Sequence, residues 1–140
     1  MSRSQTLYLA SALITDTLGS LLTVRKKGSM FYMMAGGKIE QGETPVEALQ
    51  RELKEELDLT VDAHHMRYLG SHQTQAVNEA NTLVHASIYH IELTNATLRP
   101  HAELEEIKWL TYDTYQQVPL AHLIEEFSIP IWLQNKKSQP

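Results

Sequence analysis

Apolar residues form short runs in the first quarter of the chain, and turn-forming residues separate these runs. Leu7 to Ile14 carries apolar residues on both faces, which predicts a strand. A polar turn follows, and Leu21 to Arg25 predicts a second strand that forms a hairpin with the first. Phe31 to Met34 predicts a third short strand. We expect it to stop at Gly36-Gly37, where the backbone needs conformational freedom.

The most regular helical pattern in the chain follows these glycines. Thr44 and Glu47 have the spacing of a capping box, with Pro45 at the first helical position. An apolar stripe then runs along one side at intervals of three or four residues. Its members are Val46, Leu49, Leu53 and Leu57. The pattern predicts a helix from about Pro45 to Leu57.

The second half of the chain predicts three more strands and a final helix. The strand-like segments are Tyr68 to Gln75, Thr82 to Leu93 and Ile107 to Leu110. The second of them is long and apolar on both faces, as in a central strand. Leu120 to Phe127 has helical spacing, and Pro130 lies beyond its expected end. From Gln134 to Pro140 we expect a frayed tail.

This order of elements predicts an α/β fold of the mixed-sheet kind, with helices packed on the faces of the sheet. The length of 140 residues predicts one domain spanning residues 1–140. No stretch approaches the roughly 18 apolar residues that cross a membrane, and the first residues lack the pattern of a signal peptide. We therefore expect no membrane partner.

Composition excludes several kinds of site. The sequence has no cysteine, which rules out disulfides, zinc ribbons, iron–sulfur clusters and a thiol nucleophile, and fits a cytoplasmic protein. The net charge of −5 argues against general nucleic-acid binding, which needs a basic surface. The seven histidines contain no His-x-x-x-His pair, so their pattern does not favour a histidine metal site.

Three glutamates on the predicted helix are the main candidates for chemistry. Glu52, Glu55 and Glu56 stand at i, i+3 and i+4, so their side chains share one face beside the leucine stripe. Clustering like charges destabilises a helix, and a hard divalent cation would remove that cost. Such an ion would also let an acidic protein bind polyphosphate. The alternative is an ordinary solvated helix face, with Lys54 nearby.

The loop before the helix favours a ligand site. Gly36-Gly37 and Gly42 allow the backbone to approach a ligand closely at the helix N-terminus. Glu43 precedes the cap, and Arg51 follows almost two turns later, so the two side chains can pair and brace the loop. The alternative for Glu43 is an acid that only complements the helix dipole.

Together these residues resemble the Nudix hydrolase family, which is marked by the motif G-x5-E-x7-R-E-U-x-E-E-x-G-U, where U is aliphatic. Gly37 opens the match and Leu59 closes it. Every other defined position agrees except one, since Asp58 replaces the family glycine. Asp tolerates the left-handed conformation expected there, although its charge opposes the helix dipole. Ala35 replaces a proline that is common before the two glycines.

The resemblance implies an α/β/α sandwich with a central mixed sheet, the catalytic helix at about Pro45–Leu57 and a C-terminal helix. It also implies hydrolysis of a nucleoside diphosphate derivative with Mg²⁺ or Mn²⁺. The implied catalytic and metal-binding residues are Glu52, Glu55 and Glu56, with the Gly37 carbonyl as a further metal ligand. Glu52 is also a candidate for activating water. Glu43 and Arg51 are implied as the structural pair.

Two further roles follow from the resemblance. Family members often supply another metal ligand from a loop ahead of a Trp-containing strand, and Glu103 is the first candidate here, with Glu106 the second. Arg25 resembles an arginine that contacts substrate phosphates. For each of these residues an ordinary exposed charge is the alternative.

The sequence does not name the substrate. The region after the motif, residues 70–80, has neither the Pro typical of ADP-ribose enzymes nor the Tyr typical of dinucleoside polyphosphate enzymes. The short chain therefore favours a nucleoside triphosphate pyrophosphohydrolase. The alternatives are a hydrolase of ADP-ribose, a nucleotide sugar, a damaged nucleotide or a dinucleoside polyphosphate, and a non-catalytic nucleotide-sensing module. The sequence leaves monomer and homodimer open.

Overall fold

The structure is a computed structural model that describes residues 5–94 and 97–138. The strands are β1 (Gln5–Thr15), β2 (Leu21–Lys26), β3 (Ala35–Lys38), β4 (Arg67–Gln75), β5 (Thr82–Glu92) and β6 (Leu104–Leu110). The helices are α1 (Pro45–Leu57) and α2 (Ile129–Ser138), and a π-helical turn, Ile124–Ser128, leads into α2. Short 3₁₀ turns occupy Ala63–His65 and Tyr115–Gln117. Within the described ranges, no helix is long and apolar enough to cross a membrane.

The strands form one mixed sheet in the order β4-β5-β1-β2-β6, and β3 pairs with β1 beside this path. β1 and β5 run parallel in unbroken register from Gln5↔Thr82 to Thr15↔Glu92, whereas the other pairs are antiparallel. β5 lies between β4 and β1, as its two apolar faces predicted. The sheet therefore has its two longest strands at the centre.

Alternate residues of β1 divide the core into two layers. Ala10, Ala12 and Ile14 pack on the side of α1, together with its leucines. Leu9 and Leu13 pack on the opposite side, against the C-terminal helical segment. The predicted arrangement of a mixed sheet between helices is confirmed, and α1 begins and ends where the sequence predicted.

The third strand is the main error of the sequence-based prediction. Phe31–Met34 contributes only isolated bridges, Val24↔Met33 and Tyr32↔Leu120. The paired strand is Ala35–Lys38, which includes both glycines instead of stopping at them. The apolar run was a misleading signal because it reflects core packing and not strand pairing. Phe31, Met33 and Met34 pack into the core beside the sheet.

The C-terminal helix also differs from the prediction, because it continues past Pro130 to Ser138. A proline removes an N–H and its ring crowds the carbonyl four residues earlier. The π-helical turn just before it widens the helix, and Ile129 N–H donates to Ile124 O instead of to the usual i−4 carbonyl. The expectation of a frayed tail is therefore wrong as far as Ser138, and residues 139–140 lie outside the described ranges.

Trp132 anchors α2 to the hairpin between β1 and β2. Its side chain is fully buried, and its indole Nε1–H donates to the Gly19 carbonyl oxygen at 2.7 Å. Tyr112 stacks on the indole with ring centroids 4.3 Å apart, and Tyr115 meets it edge-on. The indole hydrogen bond to Gly19 and the aromatic cluster around it therefore hold α2 against the hairpin.

Replacing Trp132 by Phe should lower the free energy of unfolding by about 2 kcal/mol, because the half-buried Gly19 carbonyl loses its donor and a cavity forms. Urea titration followed by circular dichroism measures this change. Trp109→Phe at a half-buried position is the matched control and should cost clearly less. Equal effects of the two substitutions would contradict the anchoring role of the indole N–H.

Candidate active site

Helix α1 presents its three glutamates at different depths. Leu49 and Leu53 are fully buried and fix the face that the helix turns to the sheet. Glu56 lies at the edge of that face and is only 5% exposed, and the Glu52 side chain is 17% exposed. The Glu55 side chain is 54% exposed and faces solvent. The helix therefore brings two of the three predicted acids, Glu52 and Glu56, towards β3.

The double glycine of β3 makes this close approach feasible. Gly36 has a φ of +142°, and a Cβ there would overlap the backbone of Ala10 and Ser11 on β1. A Cβ at Gly37 would overlap the carboxylate of Glu52. The Gly36 N–H donates to Glu56 Oε1 at 3.2 Å. Two residues without side chains thus fill the space between β1 and α1.

Arg51 holds the loop and the helix together. It donates to both carboxylate oxygens of Glu43, at 2.7 and 2.9 Å, and this bidentate pair is the one that the spacing predicted. The guanidinium also donates to Glu52 Oε1 at 2.8 Å and to the Lys38 carbonyl at 3.0 Å. Arg51 lowers the pKa of Glu43 to about 2. One arginine therefore orients Glu52 and braces the loop after β3.

The two inward carboxylates carry charge in a poorly solvated place. Burial, helped by the nearby Glu52 charge, raises the pKa of Glu56 to about 7, although the hydrogen bond from Gly36 opposes this shift. Burial also raises the pKa of Glu52, although Arg51 opposes the shift. A bound cation would stabilise the ionised form of both carboxylates.

The capping features of α1 agree with the sequence. Thr44 and Glu47 form the predicted capping box. Asp58 adopts the left-handed conformation expected of the family glycine, with φ 51° and ψ 39°. Lys54 Nζ lies 2.6 Å from Asp58 Oδ1 and offsets its charge at the helix C-terminus. Asp58 therefore preserves the backbone conformation that the family glycine would adopt.

Glu103 lies in the turn before β6, which is tied to α1 because His101 N–H donates to the Glu56 carbonyl at 2.8 Å. Its side chain is 77% exposed, and its charge contributes to the raised pKa of Glu56. Across residues 5–94 and 97–138, no group of three or more acidic or histidine side chains is close enough to hold a metal ion. The metal-ligand roles of Glu52, Glu55, Glu56, Glu103 and the Gly37 carbonyl stay predictions.

A cleft with a cavity volume of about 160 Å³ opens from the glycines across the sheet. Gly36, Gly37 and Glu56 line one end, and the β4–β5 loop at 76–79 lines the other. The sheet between them runs β3-β1-β5-β4, three strand spacings or about 14 Å. Leu7, Leu9 and Val84 give this floor an apolar surface. The cleft therefore joins a polar end to an apolar trough.

Lys26 is a cleft residue that the sequence reasoning missed. It lines the acidic end, its Nζ lies 3.9 Å from Glu103 Oε2, and its charge lowers the pKa of both Glu52 and Glu56. Strand alternation puts it on the same face as the buried Val24, which also lines the cleft, and that pattern was a usable signal. Lys26 supplies positive charge beside the two inward acids.

Arg25 is engaged elsewhere. Its guanidinium donates to Glu106 Oε1 at 3.2 Å and to the Ser29 carbonyl at 2.9 Å, and it lies over the Tyr32 ring. Tyr32 Oη donates to the same Glu106 oxygen at 2.7 Å. The cleft lining found within the described residues does not include Arg25 or Glu106. Their predicted substrate and metal roles are therefore not supported by direct contact with the cleft and stay predictions.

The two glycines should respond differently to substitution. Gly36→Ala should destabilise the fold by more than about 2 kcal/mol, because its backbone conformation is strained for Ala and the new methyl meets the backbone of β1. Gly37→Ala meets only the end of the Glu52 side chain, so we expect near-normal stability with weaker Mn²⁺ binding. Thermal unfolding and Mn²⁺ titration followed by electron paramagnetic resonance test both effects. Similar stability losses at the two positions would contradict this assignment.

Replacing Glu56 by Gln should stabilise the metal-free protein at high pH. The folded pKa of about 7 lies above the ordinary value of 4.5, so the stability linked to this group is complete below pH 4.5 and is lost as the pH rises through 7. In EDTA we expect a gain of about 2 kcal/mol at pH 8 and almost none at pH 4.5. Urea unfolding at both pH values measures it.

The control for that experiment is Glu55→Gln, because Glu55 belongs to the same helix but is exposed. It should change the unfolding free energy by less than about 0.5 kcal/mol at either pH. A Glu56→Gln effect that is equal at the two pH values would contradict the buried charge.

Comparisons with known proteins agree with this geometry. The family model for the NUDIX domain matches residues 8–129. The CTP pyrophosphohydrolase of Escherichia coli (strain K12) is 34% identical over 90 residues, which cover 64% of this chain and 62% of that protein. The match therefore spans less than two thirds of the relative's length.

Solved structures share the fold. The solution structure of the E. coli ORF135 protein superposes with a TM-score of 0.65 at 28% identity, covering 85% of this chain and 83% of that chain. The crystal structure of the MutT protein from Methanosarcina mazei Go1 gives a TM-score of 0.75 over 99% of this chain and 100% of that chain, at 18% identity, which is a likeness of fold. The chain belongs to the NUDIX domain family.

Proposed function

We propose that the protein is a metal-dependent nucleoside triphosphate pyrophosphohydrolase, with CTP as the first substrate to test. The observation that carries this proposal is the pair Glu52 and Glu56, held against a double glycine at the polar end of an apolar-floored cleft. The E. coli relative supports the choice of CTP by its name. In the reaction, water adds to phosphorus, the anhydride bond breaks, and a nucleoside monophosphate and pyrophosphate leave.

The donor set fits a hard divalent cation. Glu52 and Glu56 offer carboxylate oxygens, which Mg²⁺ and Mn²⁺ prefer, and the raised pKa of Glu56 is the signature of a buried charge without sufficient compensation. Glu55, Glu103 and the Gly37 carbonyl are the further ligands in this proposal. When bound, the ion would polarise phosphoryl oxygens and lower the pKa of a coordinated water.

The remaining chemistry belongs to the side chains around the cleft. Glu52 is the proposed acceptor of the water proton, and Arg51 fixes the orientation of its carboxylate. Lys26 lies beside the acids and is suited to contact the phosphates. Arg25 stays a candidate for the same task, since its guanidinium would have to leave Glu106 to reach them. The apolar floor of β1 and β5 takes the base.

The acid set argues against a sensing module that has lost catalysis. A protein that only binds nucleotide has no need for a buried Glu56, whose charge destabilises the metal-free fold. Within the hydrolases, ADP-ribose, nucleotide sugars and dinucleoside polyphosphates remain the alternative substrates. A cytoplasmic location remains a prediction from the composition.

Chromatographic separation of the nucleotide products, which detects turnover of every substrate in the panel, tests the proposal. The panel contains the nucleoside triphosphates, ADP-ribose, a nucleotide sugar and a dinucleoside polyphosphate, with Mg²⁺, with Mn²⁺ and with EDTA. We expect turnover of CTP that EDTA abolishes. Glu56→Gln should lower kcat by more than about 100-fold, since even residues that only orient metal ligands cost 10–100-fold.

Glu92→Gln is the matched control, because Glu92 is exposed at the end of β5 away from the cleft lining, and it should keep wild-type activity. Turnover that survives EDTA, or full activity in Glu56→Gln, would refute the proposal. Turnover of another nucleotide in the panel in place of CTP would assign the protein to that substrate class instead.

A further inference from the structure

The apolar end of the cleft carries a histidine that the proposed chemistry does not use. Ala121 N–H donates to the Tyr32 carbonyl at 2.9 Å, which fixes the chain just before His122. His122 lines the cleft between Ala121 and Leu123, opposite the end of β4. β4 lies three strand spacings, or about 14 Å, across the sheet from β3, so a substrate whose phosphates lie at the acids would extend its base towards this end.

The hydrogen bonding of His122 fixes which ring nitrogen carries the proton. Its Nδ1 lies 3.0 Å from the carbonyl oxygen of Gln75, the last residue of β4. A carbonyl oxygen only accepts hydrogen bonds, so Nδ1 must be the donor. In the neutral ring the other nitrogen, Nε2, is then an acceptor. Among the described residues no group hydrogen-bonds to Nε2, so His122 brings one free acceptor to the cleft wall.

A second acceptor lies at this end of the cleft. Glu79 on the β4–β5 loop lines the cleft with a carboxylate, which only accepts. Asn78 lines it too, but both ends of its amide lie within 3.3 Å of Ser29 Oγ. Glu126, one turn after His122, is bound to His72 Nε2 on β4 at 2.8 Å. The base end therefore offers two acceptors, His122 Nε2 and the Glu79 carboxylate, and the Gln75 amide, which also lines this end, can accept or donate.

We infer that His122 selects nucleobases with an exocyclic amino group, by accepting a hydrogen bond from that group at Nε2. A keto oxygen at the same position would put two acceptors in contact and leave both unsatisfied, a mismatch that enzymes exploit for specificity. This inference rests on the proposed function and names the substrate class of its base site. Cytosine satisfies it, whereas a pyrimidine without the amino group does not.

A substrate–residue cycle tests the inference. The two substrates are CTP and the triphosphate of the pyrimidin-2-one nucleoside, which carries hydrogen where cytosine carries its amino group. The wild-type protein should prefer CTP in kcat/KM by about tenfold, the value of one hydrogen bond with its desolvation. His122→Asn keeps an N–H near the position of Nδ1 for Gln75 but lacks the outer acceptor. It should reduce the preference to within about twofold.

The Asn substitution distinguishes a role of His122 in base recognition from a purely structural role. If His122 only tied β4 to the C-terminal segment, His122→Asn would retain the preference for CTP, and that result would overturn the inference. An equal rate for the two substrates in the wild-type protein would overturn it as well. His64→Asn, at an exposed position in the 3₁₀ turn, is the control and should keep the tenfold preference.

The same pair of nucleotides distinguishes this inference from the proposed function. If the wild-type protein hydrolyses neither, the pyrophosphohydrolase proposal fails, and calorimetric binding in EDTA then decides the base preference. Tighter binding of CTP that His122→Asn abolishes supports the role of His122. Equal binding, or none, overturns it.

Discussion

The space between β1 and α1 at the double glycine is the constraint on which the site depends. Gly36 and Gly37 are the thinnest segment that a polypeptide can supply, and they let a helix bring two carboxylates against a strand that is itself paired to β1. The leucines of α1 fix the helix rotation, and Arg51 fixes the loop that follows the strand. The geometry of the acids is thus determined by packing that involves no catalytic group.

The burial of Glu56 lowers the stability of the fold but supplies a carboxylate to the site. A glutamine at position 56 would keep an acceptor for the Gly36 N–H and would relieve the burial of a charge, so the fold alone would favour it. The presence of Glu56 in the interior is understandable only if a ligand compensates the charge. The same holds less strongly for Glu52, because Arg51 already compensates part of its charge.

The sequence predicted best the features that depend on neighbours along the chain. The capping box, the limits of α1 and the pair Glu43–Arg51 all follow from local spacing. The sequence failed where distant contacts decide. Ala35–Lys38 is a strand because β1 accommodates glycine there, and Phe31–Met34 is not, although it is the more apolar segment. Similarly, the bonds that engage Arg25 with Glu106, and His122 with Gln75, join residues more than 40 positions apart.

The π-helical turn Ile124–Ser128 separates two tasks of the C-terminal segment. Residues before it form a wall of the cleft, whereas Trp132 after it docks on the Gly19 hairpin. The π-helical turn contains one residue more than a turn of α-helix. The side chains that follow it are therefore rotated about the helix axis by about 100° relative to a regular helix. The phase offset allows one continuous helical segment to direct His122 and the indole towards different parts of the sheet. Insertions or deletions of single residues within this segment would therefore act as rotations of the cleft wall, not as changes in its length.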